Sequence, residues 1–147
     1  MIKLTQMHHE HIEQVANLEK LCFSCPWSVS VIEKELTNPL SLWVVASDEK
    51  RVVGYVGSQT VLGEADMMNI AVDPQYRRKG IARNLINELV SQLKEKKAYC
   101  LTLEVRASNT AAISLYQQMD FVKVGLRPNY YSAPKEDALI LRKEWQL

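Results

Sequence analysis

The chain has 147 residues, 47% of them apolar and 24% charged, with a formal net charge of +1. A chain of this size and composition folds as one soluble domain, burying about 68–70% of the surface its unfolded form exposes. The balanced charge argues against nucleic-acid binding by bulk charge and against a polybasic membrane anchor, and no apolar run reaches the roughly 20 residues that cross a bilayer.

Ile2 to Met7 reads as a short strand. His11 to Cys22 sets Ile12, Val15, Leu18, Leu21 and Cys22 at helical spacing, and Val29 to Leu36 repeats the pattern behind Ser28 as a cap. Asn38-Pro39 stops that second helix. The period then changes. LWVVAS (42–47), the turn residues DEKR and VVGYVGSQTVL (52–62) read as a hairpin, and Asp66 to Val72 as a third strand closed by Asp73-Pro74. From Gly80 the helical period returns, with Ile81, Leu85, Ile86, Leu89, Val90 and Leu93 in one stripe. LTLEV (101–105) is a strand with Leu101, Leu103 and Val105 on one face and Thr102, Glu104 and Arg106 on the other. A short helix over Asn109–Met119 and two strands, 121–126 and 138–143, complete the chain. The order β-αα-βββ-α-β-α-ββ predicts an α+β fold: one domain over 1–147, a mixed central sheet of about six to seven strands, and helices on both faces.

The chemistry-bearing stretch is DPQYRRKGIA, where a strand ends and a helix begins. A helix start offers backbone N–H groups without intrahelical partners and the positive end of the macrodipole. Gly80 lets a ligand approach the backbone closely, and Arg77, Arg78 and Lys79 add charge at the rim. The combination suits a pyrophosphate. It is neither a P-loop, since Lys79 precedes the glycine and no Ser or Thr follows, nor a three-glycine dinucleotide fingerprint. On spacing alone, a charged turn before an ordinary helix explains the stretch equally well.

NIAVDPQYRRKGIARNLI resembles the signature of the GCN5-related N-acetyltransferases, whose pyrophosphate loop is [QR]-x-x-G-x-[GA]; Arg77, Gly80 and Ala82 match its fixed positions. Ala82 stands where many members carry Gly. LEVRASNTAAISLYQQMDF, with PWS at 26–28 and NYY at 129–131, is similar to the bacterial ribosomal-protein-alanine N-acetyltransferases of the RimI type. The order of elements matches over nearly the whole chain.

That resemblance implies acetyl-coenzyme A as cosubstrate, a protein N-terminus as acceptor, and no metal. The pantetheine arm would pair with the freed strand edge at Ile70, Ala71 and Val72, and the amides from Arg78 through Lys79, Gly80 and Ile81 to Ala82 would hold the pyrophosphate. Asn109 matches a coenzyme-contacting position, and is equally an ordinary helix N-cap. Glu104 matches the family's general base and Tyr116 its general acid. Without the family, Glu104 reads as a solvated strand glutamate and Tyr116 as a core tyrosine sharing a helix face with Ala112 and Met119. Trp27, Tyr130 and Tyr131 would flank the acceptor groove, with packing an equal explanation for Trp27.

The cysteines Cys22, Cys25 and Cys100 are too few for a disulfide framework. The opening MIKLTQMHHEH has no signal-peptide core, so a cytoplasmic location is expected. Cys22 and Cys25 form C-x-x-C downstream of His8, His9 and His11, but a structural zinc site needs four converging ligands. The cysteines read as small core residues. The expected activity is Nα-acetylation of the N-terminal alanine of a small-subunit ribosomal protein. Two alternatives stand beside it: the same chemistry on a small-molecule amine or a lysine, and a non-catalytic coenzyme A-binding module.

Overall fold

The computed structural model describes all 147 residues. Seven strands form one sheet: β1 (Ile2–Gln6), β2 (Ser41–Asp48), β3 (Arg51–Val61), β4 (Glu64–Val72), β5 (Cys100–Arg106), β6 (Val122–Ser132) and β7 (Lys135–Glu144). Four α-helices cover it: α1 (Ile12–Cys22), α2 (Val29–Thr37), α3 (Ile81–Glu95) and α4 (Thr110–Gln118). The strand order is β1-β2-β3-β4-β5-β7-β6, the mixed α+β sheet that the element order predicts.

Every neighbouring pair is antiparallel except β4 and β5. These two run parallel and pair only at Glu64–Cys100, Ala65–Leu101 and Asp66–Thr102. Beyond Asp66 they part, although β4 continues to Val72 and β5 to Arg106. The sheet is therefore split down its middle, and the C-terminal half of β4 keeps one edge unpaired. β4 also carries a bulge: its register with β3 jumps from Ser58–Met67 to Gly57–Asn69. A bulge re-aims the strand that follows it.

Two apolar layers hold the sheet. On one face the predicted α3 stripe, Ile81, Leu85, Ile86, Leu89, Val90 and Leu93, is buried against Val44, Val56, Leu101 and Leu103. Each such side chain contributes roughly 1.5–3 kcal/mol on burial. On the other face Ile12, Val15 and Leu18 of α1 and Ile32 of α2 pack on Trp43, Val45 and Tyr55. Trp43 lies so close over Gly57 that a Cβ there would stand 2.3 Å from the indole.

Three local readings change. Leu21 is 59% exposed, because the buried stripe of α1 runs through Ile12, Val15, Ala16, Leu18 and Glu19. Cys25 is exposed and Cys22 half-buried, so of the three cysteines only Cys100 is a core residue; Cys25 sits in the α1–α2 loop, which runs over the surface. The strand expected to stop at Leu126 continues to Ser132, carrying Tyr130 and Tyr131 within it. Pro128 is accommodated there because β6 is the sheet's edge and its pairing shifts between Arg127 and Tyr131. No helix is long and apolar enough to cross a membrane.

Candidate active site

Where β4 and β5 separate, a cleft of about 630 Å³ opens between β4, α3 and α4. Its floor is the unpaired edge of β4. Asp73 N–H donates to Val53 O at 2.8 Å. In an antiparallel strand the direction of the backbone groups alternates, so those of Val72 and Ile70 point away from β3. The Val72 carbonyl indeed accepts from Arg77 Nε at 3.3 Å and from Cys22 Sγ at 3.8 Å.

One end of the cleft is the start of α3. Gly80 is its N-cap with φ 76°, no side chain caps the helix, and a Cβ at Gly80 would meet nothing within 4 Å. Arg78, at φ 63°, gives the loop a second left-handed residue. Such a loop turns successive N–H groups to one side, and those at the head of α3 have no partner within the helix. The concavity at Gly80 and its free donors suit a diphosphate. Arg77, Arg78, Gly80, Ile81 and Ala82 all line the cleft. Lys79 does not; its ammonium lies 5.6 Å from the Tyr76 ring, outside.

At the opposite wall Asn109 caps α4, its side chain accepting from Ala112 N at 3.2 Å, and it also faces the cleft. The N-cap reading of Asn109 holds, and its place in the cleft lining leaves it within reach of a bound ligand. Tyr116 is 6% exposed and lines the cleft. Burial, with a smaller contribution from Tyr131, pushes its pKa up to about 12. Tyr116 therefore keeps its proton at any physiological pH.

Glu104 leaves β5 on the other face of the sheet. Its Oε2 lies 3.6 Å from Arg127 Nε, and the carboxylate is partly open to solvent. Tyr131 is in reach of both catalytic candidates. Burial and the charge of Glu104 raise the Tyr131 pKa, and Tyr131 in turn contributes to that of Tyr116. Tyr130 packs edge-on against Tyr131 with centroids 5.1 Å apart, and the Arg106 guanidinium covers the Tyr131 ring at 4.3 Å. Trp27 stays outside the cleft. Its ring lies 5.6 Å from that of Trp43, so its side chain packs on the core.

The model of the Acetyltransferase (GNAT) family matches residues 12–121. The chain belongs to the GNAT acetyltransferase family. It is 37% identical over 133 residues to the [ribosomal protein bS18]-alanine N-acetyltransferase of Escherichia coli, covering 89% of this chain and 85% of that one. It is likewise 37% identical over 136 residues to the putative [ribosomal protein bS18]-alanine N-acetyltransferase of Bacillus subtilis, covering 92% and 90%. The crystal structure of the Escherichia coli ribosomal-protein-S18-alanine N-acetyltransferase superposes with a TM-score of 0.92 at 31% identity, over 100% of this chain and 96% of that one. This GNAT protein is thus an N-acetyltransferase.

Several residues of the GNAT cleft escape a reading of the sequence. Cys22 and Phe23, at the end of α1, form one wall, and Tyr76, Ala111 and Leu115 fill others. They look like ordinary core residues because the cleft's walls are the outermost layer of that core. Arg127 and Glu19 were also missed. Glu19 had a visible signal: an acid at i+7 from Ile12, i+4 from Val15 and i+3 from Ala16, inside the buried stripe of α1. No three His, Cys, Asp or Glu side chains converge as metal ligands.

Proposed function

We propose that the chain transfers the acetyl group of acetyl-coenzyme A to a protein N-terminus, and that the acceptor is the N-terminal alanine of a small-subunit ribosomal protein. The observation that carries this reading is the early end of β4–β5 pairing, which leaves a strand edge with no partner strand running from the Gly80 concavity toward Tyr116. An extended amide chain can add to such an edge as a strand would. The names of the bacterial relatives supply the acceptor.

In this reading the head of α3, from Arg78 through Gly80 to Ala82, holds the pyrophosphate, and the edge at Ile70–Val72 holds the pantetheine arm. Ala71 contributes to the floor, Arg77 anchors the loop through the Val72 carbonyl, and Asn109 closes the far wall. The thioester supplies an activated acetyl group. Glu104 takes the proton from the attacking amine, directly or through one water. The Tyr116 hydroxyl, still protonated, donates to the departing sulfur. A backbone N–H on the edge of β4 steadies the charge that develops on the acetyl oxygen. Tyr130 and Tyr131 line the approach of the acceptor chain.

Acceptor basicity favours an N-terminus over a lysine. An α-amine titrates near 8 and a lysine amine near 10.4, a gap of about 2.4 pH units or ~3.3 kcal/mol of deprotonation cost at neutral pH. A single partly exposed carboxylate suits the easier proton. The test is an assay of released thiol with two peptides, one beginning with alanine and one Nα-blocked with an internal lysine. Turnover of the first alone is expected. Comparable rates on both would overturn the acceptor assignment, and binding of coenzyme A without turnover of either would leave a binding module.

A further inference from the structure

Glu19 is 1% exposed and has no counter-ion. Burying a lone carboxylate is costly, and a leucine would fill its place in the α1 stripe. The carboxylate instead accepts two hydrogen bonds. Trp27 N–H donates to Oε1 at 2.8 Å, and Asn69 Nδ2 donates to Oε2 at 2.6 Å. Asn69 carries the chain further, its Oδ1 accepting from Ile70 N–H at 3.1 Å. Asn69 and Ile70 stand at the β4 bulge, on the stretch whose edge lines the cleft. Trp27 lies in the α1–α2 loop, packed on Trp43. One buried carboxylate of α1, itself not part of the cleft lining, therefore ties a loop and a bulge to the same point.

We propose that Glu19 is a positioning residue for acetyl transfer: through Asn69 it fixes the bulge and the aim of the Ile70 amide on the open edge, and through Trp27 it holds the α1–α2 loop in register with them. This deepens the function proposed above and rests on it. The network has a direction. Glu19 can only accept, whereas Asn69 must donate to Glu19 and accept from Ile70. A carboxylate on α1 and a carboxamide on β4 satisfy every member, and turning the Asn69 amide over would set its NH2 against the Ile70 N–H.

That directionality gives a test a merely structural role would not pass. In Glu19→Gln, no orientation of the two amides satisfies Trp27, residue 69 and Ile70 together. In Asn69→Asp, two carboxylates face each other. Combining them, Glu19→Gln with Asn69→Asp, restores a complete network with donor and acceptor exchanged. Each single variant should lower kcat on the alanine peptide by about 10–10²-fold, the effect of a small misplacement near reacting groups, while acetyl-coenzyme A affinity by calorimetry changes much less. The double variant should recover most of the loss. Amide hydrogen exchange at Ile70 and Trp27 should rise in the singles and fall back in the double, a readout independent of turnover. Should Glu19→Gln fail to fold, Asn69→Ala at its half-buried position removes the same link and should show the same kcat loss and Ile70 exchange. Wild-type exchange and kcat in folded single variants, or a double variant no better than the worse single, would overturn the proposal. An inactive wild-type enzyme would instead sink the acetyl-transfer reading, and the exchange data would still decide the network.

Discussion

In the proposed mechanism the surroundings of Tyr116 and Glu104 divide the proton traffic between them. The phenol is buried against the cleft, with its pKa pushed up to about 12, so it can act as a donor at pH 7 and not as a base. Tyr116→Phe keeps its packing against Phe121, where the ring centroids are 5.6 Å apart, and removes only the proton. Turnover should fall by about 10²–10⁴ with coenzyme A affinity little changed; near wild-type turnover would return Tyr116 to the core. Glu104 lies half in solvent beside Arg127. Glu104→Gln should lose most activity at pH 7 and regain part of it as pH rises and free amine accumulates, and full activity at pH 7 would exclude Glu104 as the base. Glu19 offers a separate pH signature. Burial raises its pKa above the ordinary 4.5, against the opposing hydrogen bonds from Trp27 and Asn69. From 4.5 up to its raised value the native state holds a proton that the unfolded chain has released, so that part of the stability is full below 4.5 and lost as pH rises. Thermal unfolding of wild type and Glu19→Gln across that range should show wild type losing ground as pH increases; parallel curves would contradict it.

Among the elements, the junction of β4 with α3 places the most cleft-lining residues in the shortest stretch of chain. Gly80 holds φ 76° with open space where its Cβ would be, and the first N–H groups of a 15-residue helix face that space. Gly80→Asp separates fold from function. Asp tolerates left-handed backbone better than most residues, and a carboxylate at a helix start is favourable. The fold should survive, yet the same charge would repel phosphates. Coenzyme A affinity should drop by about tenfold or more, equivalent to ~1.4 kcal/mol; unchanged calorimetric affinity in a folded variant would remove the cradle from the account. This junction was legible in the sequence because glycine, three cations and a returning helical period are local signals. The α3 stripe was legible for the same reason. The end of β6 was not: Arg127-Pro128-Asn129 reads as a turn, and only pairing with β7 across a bulge keeps it in the sheet. Leu21 was misjudged because helical spacing alone admits it to the α1 stripe, whereas the helix buries Ala16 and Glu19 and leaves Leu21 59% exposed.

Across the molecule, the split between β4 and β5 converts a sheet into an enzyme scaffold. α3 and α4 cover one face and α1 and α2 the other, so the two halves stay fixed while the gap between them remains open. The order of elements predicted the sheet, but the split itself lies in long-range pairing that no local pattern encodes: β5 pairs with β7 along its whole length and with β4 at three positions only. The same cause hid the division of the candidate site, with the edge of β4, the head of α3 and Tyr116 lining the cleft and Glu104 with Tyr131 on the opposite face. The central claim is that this gap delivers an acetyl group to a chain that begins at its amine. The most direct measurement is to incubate the protein with acetyl-coenzyme A and one peptide that begins with alanine and carries an internal lysine, then locate the acetyl group by fragment mass spectrometry. The account predicts acetyl on the alanine nitrogen and an unmodified lysine. Acetyl on the lysine, or on both amines to a similar extent, would contradict it.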